Sequence, residues 1–516
     1  MSVLAVLLVL APLLAAAIEF VGRSTRVRSG SVAVVGASSA LVASVALAVW
    51  VAWFGPLTIG VGSASVLRVD TLGTLVSVVV SLIGLNVFAY AKRQLDEPER
   101  SRLASAGSVA LASTLLTATA GRLSVLTLAW VATTFAVVSL VHRGDVKARR
   151  VASRRVLLID GTGAGAAVIA IALTVWEIGD RAFTDLSAAT AELGSRTLPG
   201  FFGVSVGDLV GVLLVVAALA RAAQLPFRSW IVSTLAAPTP TSALLHAGVV
   251  NGGAILLLRA APLVTSPIAA WILAVAAVST VIVWSAVAAT RRDVKGVLAS
   301  STSAQMGFML LAVAVGAPAA AIAHLMGHAL YKSARFLGVG DAIAAEVRRR
   351  RATRSAAGRT PAAFGVLAAL IVVAMSSALL HDADAWMTAS SLAITVGLGV
   401  WMLGRRATSR SELLRLSALC VGAALGYLMV AAGLERALGT SVPGVPTAVP
   451  PPLALAVLGV GLVALRVCLS SPSLSARVRG VLSGTGGPRV PALARRSTKG
   501  LPAEPLSMPS SAGVTP

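Results

Sequence analysis

The sequence predicts an all-α polytopic membrane protein, and three observations carry that prediction. Of 516 residues, 57% are hydrophobic and 12% charged, with a mean hydropathy of +0.88, far from an ordinary soluble globular chain. The apolar residues fall into windows of about 17 to 25, the length a helix needs to cross a bilayer. Aromatic residues make up only 4% while Leu, Ala, Val and Gly supply the apolar mass, which suits helices packed through small residues rather than a β-barrel with aromatic girdles.

Read in order, the windows give about fifteen spans. They are 3–22, 31–53, 70–91, 103–120, 123–141, 156–176, 205–221, 240–259, 266–289, 295–314, 317–340, 361–380, 386–403, 412–433 and 451–470. The first has no basic stretch before it and no small-residue cleavage site after it, so it reads as a membrane helix rather than a signal peptide. The loops check the count, because the basic ones all follow odd-numbered spans. Arg23, Arg26 and Arg28 follow the first; Lys92, Arg93, Arg100 and Arg102 the third; Arg143, Lys147, Arg149, Arg150, Arg154 and Arg155 the fifth. Arg291, Arg292 and Lys295 follow the ninth; Arg348 to Arg351, Arg354 and Arg359 the eleventh; Arg405, Arg406, Arg410 and Arg415 the thirteenth. The stretch from Arg466 to Lys499 follows the last, and together these hold about 33 of the 43 basic residues. By the positive-inside rule such loops are cytoplasmic, so a multi-pass protein of the cell membrane is expected with its N-terminus outside and its C-terminus inside. The loop from Glu177 to Arg196 is net acidic and HDAD at His381 to Asp384 lacks Lys and Arg, as the opposite side requires.

The net charge of +23 is therefore topological and does not point to nucleic acid. Cys420 and Cys468 sit in separate apolar segments without metal-ligand neighbours and read as core fillers. The tail 471–516, rich in Pro, Ser, Gly and Arg, lacks the apolar residues to fold alone and reads as a disordered basic cytoplasmic tail.

Three clusters carry chemistry. In ARAAQLPFRSW, Ala220 to Trp230, Arg221 ends an apolar run and Pro226 removes a backbone donor, so the helix breaks there; broken membrane helices are tolerated where they line a cavity or an ion site. In APTPTSALLHAGVVNGG, Ala237 to Gly253, Pro238 and Pro240 set a turn, Thr241 and Ser242 are candidate caps, and His246 lies one turn in, with Asn251 beyond. The structural alternative for His246 is a packing histidine bonded to a backbone carbonyl. The third cluster, HLMGHALYK, spaces His324, His328 and Lys332 by four residues, which puts them on one helix face about 6 Å apart. Ionisable groups at membrane depth are costly and mark ion or proton paths, although a purely structural polar network is the competing reading. Histidine titrates near neutral pH, so such a column can pass protons along. Nothing resembles a phosphate-binding glycine loop, a metal-ligand cluster or a domain able to enclose a soluble substrate. The chain reads as a conduit rather than an enzyme, with no cofactor and no metal.

AAQLPFRSW, APTPTSALLHAG, DVKGVLASSTSAQMGFM and HLMGHALYKSARFLGVG resemble, in order and spacing, the antiporter-like membrane subunits of respiratory complex I and of Mrp-type sodium/proton antiporters. The resemblance covers roughly 70–345 and implies two inverted five-helix repeats, each with a broken helix and a central lysine or histidine. The implied division is N-terminal helices at 1–102, a first repeat at 103–260 broken near 221–240, a second repeat at 261–403 and C-terminal helices at 404–470. Within the family the chain is most similar to the membrane subunit of DAB-type inorganic-carbon transporters. That likeness implies a large cytoplasmic zinc-containing, carbonic-anhydrase-like partner, and a flux of protons or Na+ across the lipid bilayer that drives bicarbonate or CO2 uptake. His246, His324, His328 and Lys332 would form the proton path. A proton-translocating subunit of an NADH:quinone oxidoreductase or an Mrp-type antiporter is the alternative, and a non-conducting scaffold a second one.

The chain also departs from the family. The fifth helix reads Ala129, Trp130, Val131 where the family has Trp-Glu, and the first-channel lysine is replaced by Arg221, which does not deprotonate and can serve only as a fixed charge. The twelfth-helix lysine has no counterpart, His381 and Asp382 being the nearby polar candidates. Asp160 is an ambiguous match to a carboxylate of the sixth helix and carries little weight. The first half-channel therefore reads as degraded. Tyr90 reads as an interfacial anchor and Asp208 as part of a helix start.

Overall fold

A computed structural model of the full chain describes residues 1–22, 30–61, 64–142, 147–197, 204–291, 293–339, 360–379, 387–390, 392, 393, 396, 397, 400, 404, 409–439 and 448–470. Outside these lie Arg23, Arg26, Arg28, Arg143, Arg292, Arg348 to Arg351, Arg354, Arg359, Arg405 and Arg406, the pair His381 and Asp382, much of the expected thirteenth span and the tail from Ser471.

Helix α1 (Ser2–Val21) packs on α2 (Ser31–Phe54) and α4 (Glu97–Thr119), and α2 packs on α3 (Thr71–Gln94). Buried Glu19 joins the first pair: its Oε1 accepts from the backbone N–H of Gly30 at 2.8 Å and of Ala33 at 3.3 Å. A carboxylate on the free N–H groups at a helix start is favourable in charge and hydrogen bonding alike.

Between α2 and α3 the all-α expectation needs correction. Strands β1 (Leu57–Val61) and β2 (Ala64–Val69) form an antiparallel hairpin with an irregularity between Ile59 and Gly60. Five- and six-residue strands are invisible to windows sized for a bilayer crossing, and outside the hydrocarbon their edges can find partners. Here the partner is the end of α4: Gly121 N donates to Val66 O at 2.9 Å. A Cβ at Gly121 would lie 2.9 Å from the Val66 carbonyl carbon, so only glycine permits this approach.

Helices α5 (Leu123–Val141), α6 (Lys147–Ile178), a short surface helix α7 (Leu186–Ser195) and α8 (Val206–Arg221) follow, with α6 packed along α8. The polypeptide then breaks. After α9 (Ser229–Ser233) and α10 (Thr239–Ala243), a π turn over Leu244–Gly248 and a 3-10 turn over Val249–Asn251 lead into α11 (Gly252–Arg259). The single span expected at 240–259 is one continuous helical stretch, Thr239–Arg259, whose hydrogen bonding is irregular over Leu244–Asn251. Helices α12 (Pro267–Thr290) and α13 (Val294–Ala314) pack against each other, α14 (Pro318–Leu337) packs on α13 and α3, and α15 (Thr360–Leu379), α16 (Arg410–Leu438) and α17 (Pro451–Ser470) follow. Side-chain caps start several of them: Asp70 accepts from Gly73 N, Ser266 from Ala269 N and Asp293 from Gly296 N, as the preference for Asp and Ser at helix N-caps requires. Thr241 and Ser242 do not cap α10, whose N-cap is Pro238. Prolines there already fix φ and have no N–H to satisfy.

Among the described residues nine helices are long and apolar enough to cross a membrane. Helix α14 is not one of them, although it has the length. Its column of polar groups lowers its hydropathy while its flanks stay apolar, and the mixture gives it a polar seam that the bundle buries.

Candidate functional site

Two buried polar centres are built where the sequence interrupts its helices. The first starts at the end of α8. Its chain turns at Ala222 to Arg228 and the groups freed by the break find side chains: Leu225 N donates to Thr280 Oγ1 at 3.0 Å, Gln224 Nε2 to Ala222 O at 2.8 Å and Ser303 O at 3.2 Å, and Trp230 Nε1 to Ala220 O at 2.9 Å. The break expected at Pro226 therefore occurs, and its cost is offset inside the protein.

Arg221 is 1% exposed. Its Nε donates to Asp160 Oδ1 at 2.6 Å, and one terminal nitrogen donates to Thr134 Oγ1 at 2.7 Å and Trp130 O at 3.4 Å. The guanidinium carbon stands 4.1 Å from the centre of the Trp130 ring, a cation–π geometry. Asp160, an ambiguous match in the sequence, is thus the carboxylate partner of this cation, equally buried. Val131 supplies no carboxylate, yet the centre has one. It comes from α6, and only the packing of α6 on α8 brings positions 160 and 221 together.

The second centre joins α14, α13 and the irregular stretch around His246. With a rise of 1.5 Å per residue, His324 lies about 9 Å from the start of α14 and Lys332 about 7.5 Å from its end, so the column occupies the middle of the helix. His328 and Lys332 are buried; His324 is partly buried as a residue, with its Nε2 shielded from solvent. The His324 and His328 rings lie 6.2 Å apart and the His324 ring 5.1 Å from that of Phe308. His328 Nε2 meets the His246 carbonyl at 3.1 Å and Nδ1 meets Gln305 Oε1 at 3.0 Å. Lys332 Nζ donates to Leu298 O at 2.9 Å and Ser301 Oγ at 2.6 Å, and among the described residues no carboxylate pairs with it.

His246 sits inside the π turn, stacked on Phe336 at 4.6 Å, with Nε2 3.2 Å from Thr234 Oγ1. It is not a histidine tied to a carbonyl; its own carbonyl is what His328 uses. A single π turn inside a helix is rare and recurs at functional sites.

The surroundings of His328 permit two charge states. A carbonyl only accepts, so Nε2 carries hydrogen toward His246. The Gln305 amide can present either its oxygen or its nitrogen. With neutral imidazole the amide nitrogen donates to Nδ1; with imidazolium, Nδ1–H donates to the amide oxygen. Rotation of one amide is enough to keep the ring bonded through gain and loss of a proton.

Further buried polar atoms make no hydrogen bond to the described residues: Asp160 Oδ2, Gln224 Oε1, His246 Nδ1, Asn251 Oδ1, Ser300 Oγ, Ser303 Oγ and His324 Nε2. Buried polar groups normally find partners, so this string is polar capacity that a plain apolar core would not carry. Among the described residues no three His, Cys, Asp or Glu side chains gather to hold a metal. Tyr90 lines a surface cleft with Arg93 and Ser333. Ser205 caps α8, and Asp208 accepts from both Ser205 Oγ and Ser266 Oγ, linking two helix starts.

Gln305, Ser301 and Thr234 were not anticipated. Their signal is weak, because single polar residues in apolar helices are common and only proximity to His328, Lys332 and His246 distinguishes these.

Residues 120–379, half of the chain, match the family described as NADH:quinone oxidoreductase/Mrp antiporter, TM. The chain belongs to this family. Among curated relatives it is 32% identical over 291 residues to the "Probable inorganic carbon transporter subunit DabB2" of Halothiobacillus neapolitanus, covering 56% of this chain and 52% of that protein. It is 27% identical over 314 residues to "NADH-quinone oxidoreductase subunit L" of Mycobacterium tuberculosis, covering 58% and 48%. The chain spans about half the length of the curated relatives it matches. Its fold is similar to a chain in the structure of the Mrp complex from Dietzia sp. DQ12-45-1b, with a TM-score of 0.55 and 24% identity over 92% of this chain and 52% of that one. Both polar centres fall within the stretch that defines this antiporter family.

Proposed function

We propose that the chain is the proton- or cation-conducting membrane subunit of an energy-coupled inorganic-carbon uptake complex. The observation that carries the conducting role is the bridge from His328 to the His246 carbonyl and to Gln305, which joins the α14 column to the broken helix through a site able to hold imidazole in either charge state. Lys332 and Ser301 extend the series in one direction and His324 in the other. The unpartnered atoms around it supply lining for water. In this reading His246, His324, His328 and Lys332 pass protons between positions about 6 Å apart, a spacing that water or a ring rotation spans.

The carbon-uptake assignment rests on relatives named as DabB subunits. The partner in that reading is a large cytoplasmic zinc-containing protein related to carbonic anhydrases, docked on the basic loops, with the N-terminus outside and the C-terminus inside. A subunit of an NADH:quinone oxidoreductase or antiporter would use the same residues; the matches to subunit L and to a probable K(+)/H(+) antiporter protein of Rhizobium meliloti favour it as the second reading.

Lys332→Ala tests the proposal. Growth that depends on CO2 or bicarbonate is expected to stop while the protein still assembles in the membrane. Normal growth and uptake in a correctly assembled variant would refute it. Copurification with one large zinc protein, rather than with a set of small membrane subunits, separates the two complexes.

A further inference from the structure

The first polar centre holds a cation that cannot relay a proton. A guanidinium keeps its charge in proteins, and Arg221 is gripped on several sides: Asp160 from α6, Thr134 and the Trp130 ring and carbonyl from α5. From α11, a Cβ added at Gly252 would come within 3.3 Å of Arg221 Cγ. Both charged side chains are 1% exposed, and Asp160 Oδ2 has no hydrogen-bond partner among the described residues. Without the arginine, a carboxylate with one free oxygen at this depth would be a ready site for a proton or a small cation. With it, the carboxylate is already neutralised by a cation that keeps its charge, so the pair offers a proton or a second cation no net attraction.

We propose that the Arg221–Asp160 pair is an electrostatic seal that closes the first polar centre to protons and cations, so that the chain offers one conducting path rather than two. A fixed arginine that excludes protons and cations is a known device of selective pores. The inference rests on the conductor reading above, in which the second centre does the conducting. In that arrangement a leak through the first centre would dissipate the gradient that the second one uses.

The test is passive leak of protons, and separately of Na+, into liposomes carrying the full chain, in a His328→Ala background that silences the second centre. Arg221→Gln leaves the carboxylate without its cation and is expected to raise leak by about tenfold or more, since an opposite charge at contact distance outweighs thermal energy several times even at intermediate dielectric. Asp160→Asn added to Arg221→Gln removes the carboxylate and is expected to return leak to the starting level. Arg221→Lys is expected to fall between, because an ammonium can lose its proton. Unchanged leak in folded, monodisperse Arg221→Gln protein overturns the proposal. So does equal leak in the double variant, which would trace the leak to damaged packing. Should Arg221→Gln fail to fold, Arg221→Lys decides, and leak at the starting level overturns it. Failure of the conductor reading shows elsewhere, as flux that His328→Ala does not change.

Discussion

Gln305→Leu removes the group that lets His328 change charge without losing a partner. Leucine has nearly the volume of glutamine, so the packing between α13 and α14 is kept while the contact at 3.0 Å is lost. With neutral imidazole the missing bond is an ordinary one, worth about 0.5–1.5 kcal/mol, and with imidazolium it is a bond to a charged group, worth about 1.5–3 kcal/mol. The charged state therefore loses about 1 kcal/mol more than the neutral state, and its population falls about fivefold. Where protonation of His328 limits transport, flux falls by the same factor. His328→Ala removes the carrier itself and breaks the bond to the His246 carbonyl as well, so a loss of about tenfold or more follows from a barrier raised by at least about 1.4 kcal/mol. The assay is proton flux into liposomes with an internal pH dye, run beside thermal unfolding to show that each variant is folded. Wild-type flux in folded Gln305→Leu protein, with flux lost in His328→Ala, would show that the amide takes no part.

Two further predictions concern the frame that holds the site. Asp70 accepts from Arg259 at 2.5 Å and pairs with Arg68 at 3.2 Å, while Arg259 also donates to Ala120 O; this ties the hairpin, α3, α4 and the end of the broken helix. Asp70→Ala leaves a buried guanidinium uncompensated and is expected to cost about 3–5 kcal/mol, with part recovered when Arg259→Met is added; a melting temperature in detergent that stays at the wild-type value would contradict this. At Gly253 a Cβ would lie 2.5 Å from Ala218 O, so Gly253→Ala is expected to push α11 off α8 at a cost of about 1–3 kcal/mol. Its unfolding midpoint in denaturant checks this, and no shift would mean that the two backbones do not meet as closely as they do here.

Most of the helices were legible in the sequence because the bilayer imposes their length. Runs such as 31–53 or 266–289 must be apolar for about twenty residues, and that requirement leaves a signal that needs no partner. The His324, His328 and Lys332 column was legible for a related reason: a period of four on an apolar helix fixes a face, and three ionisable groups on one face demand a protein neighbour. The hairpin at 57–69 was not, since its residues alternate over too short a stretch to stand out.

What the sequence by itself determined is the class of the molecule, the order of its spans, the break after Arg221 and the identity of the residues in the column. The tertiary structure decided which polar groups meet. Asp160 and Arg221 are 61 positions apart, and His328 and His246 are 82 apart. No local period connects such pairs; helix packing alone sets their distance. That is why the first centre read as stripped of its carboxylate from the sequence and proved to be a tightly held ion pair, and why Gln305 gained a role only when α13 was seen to lie against α14.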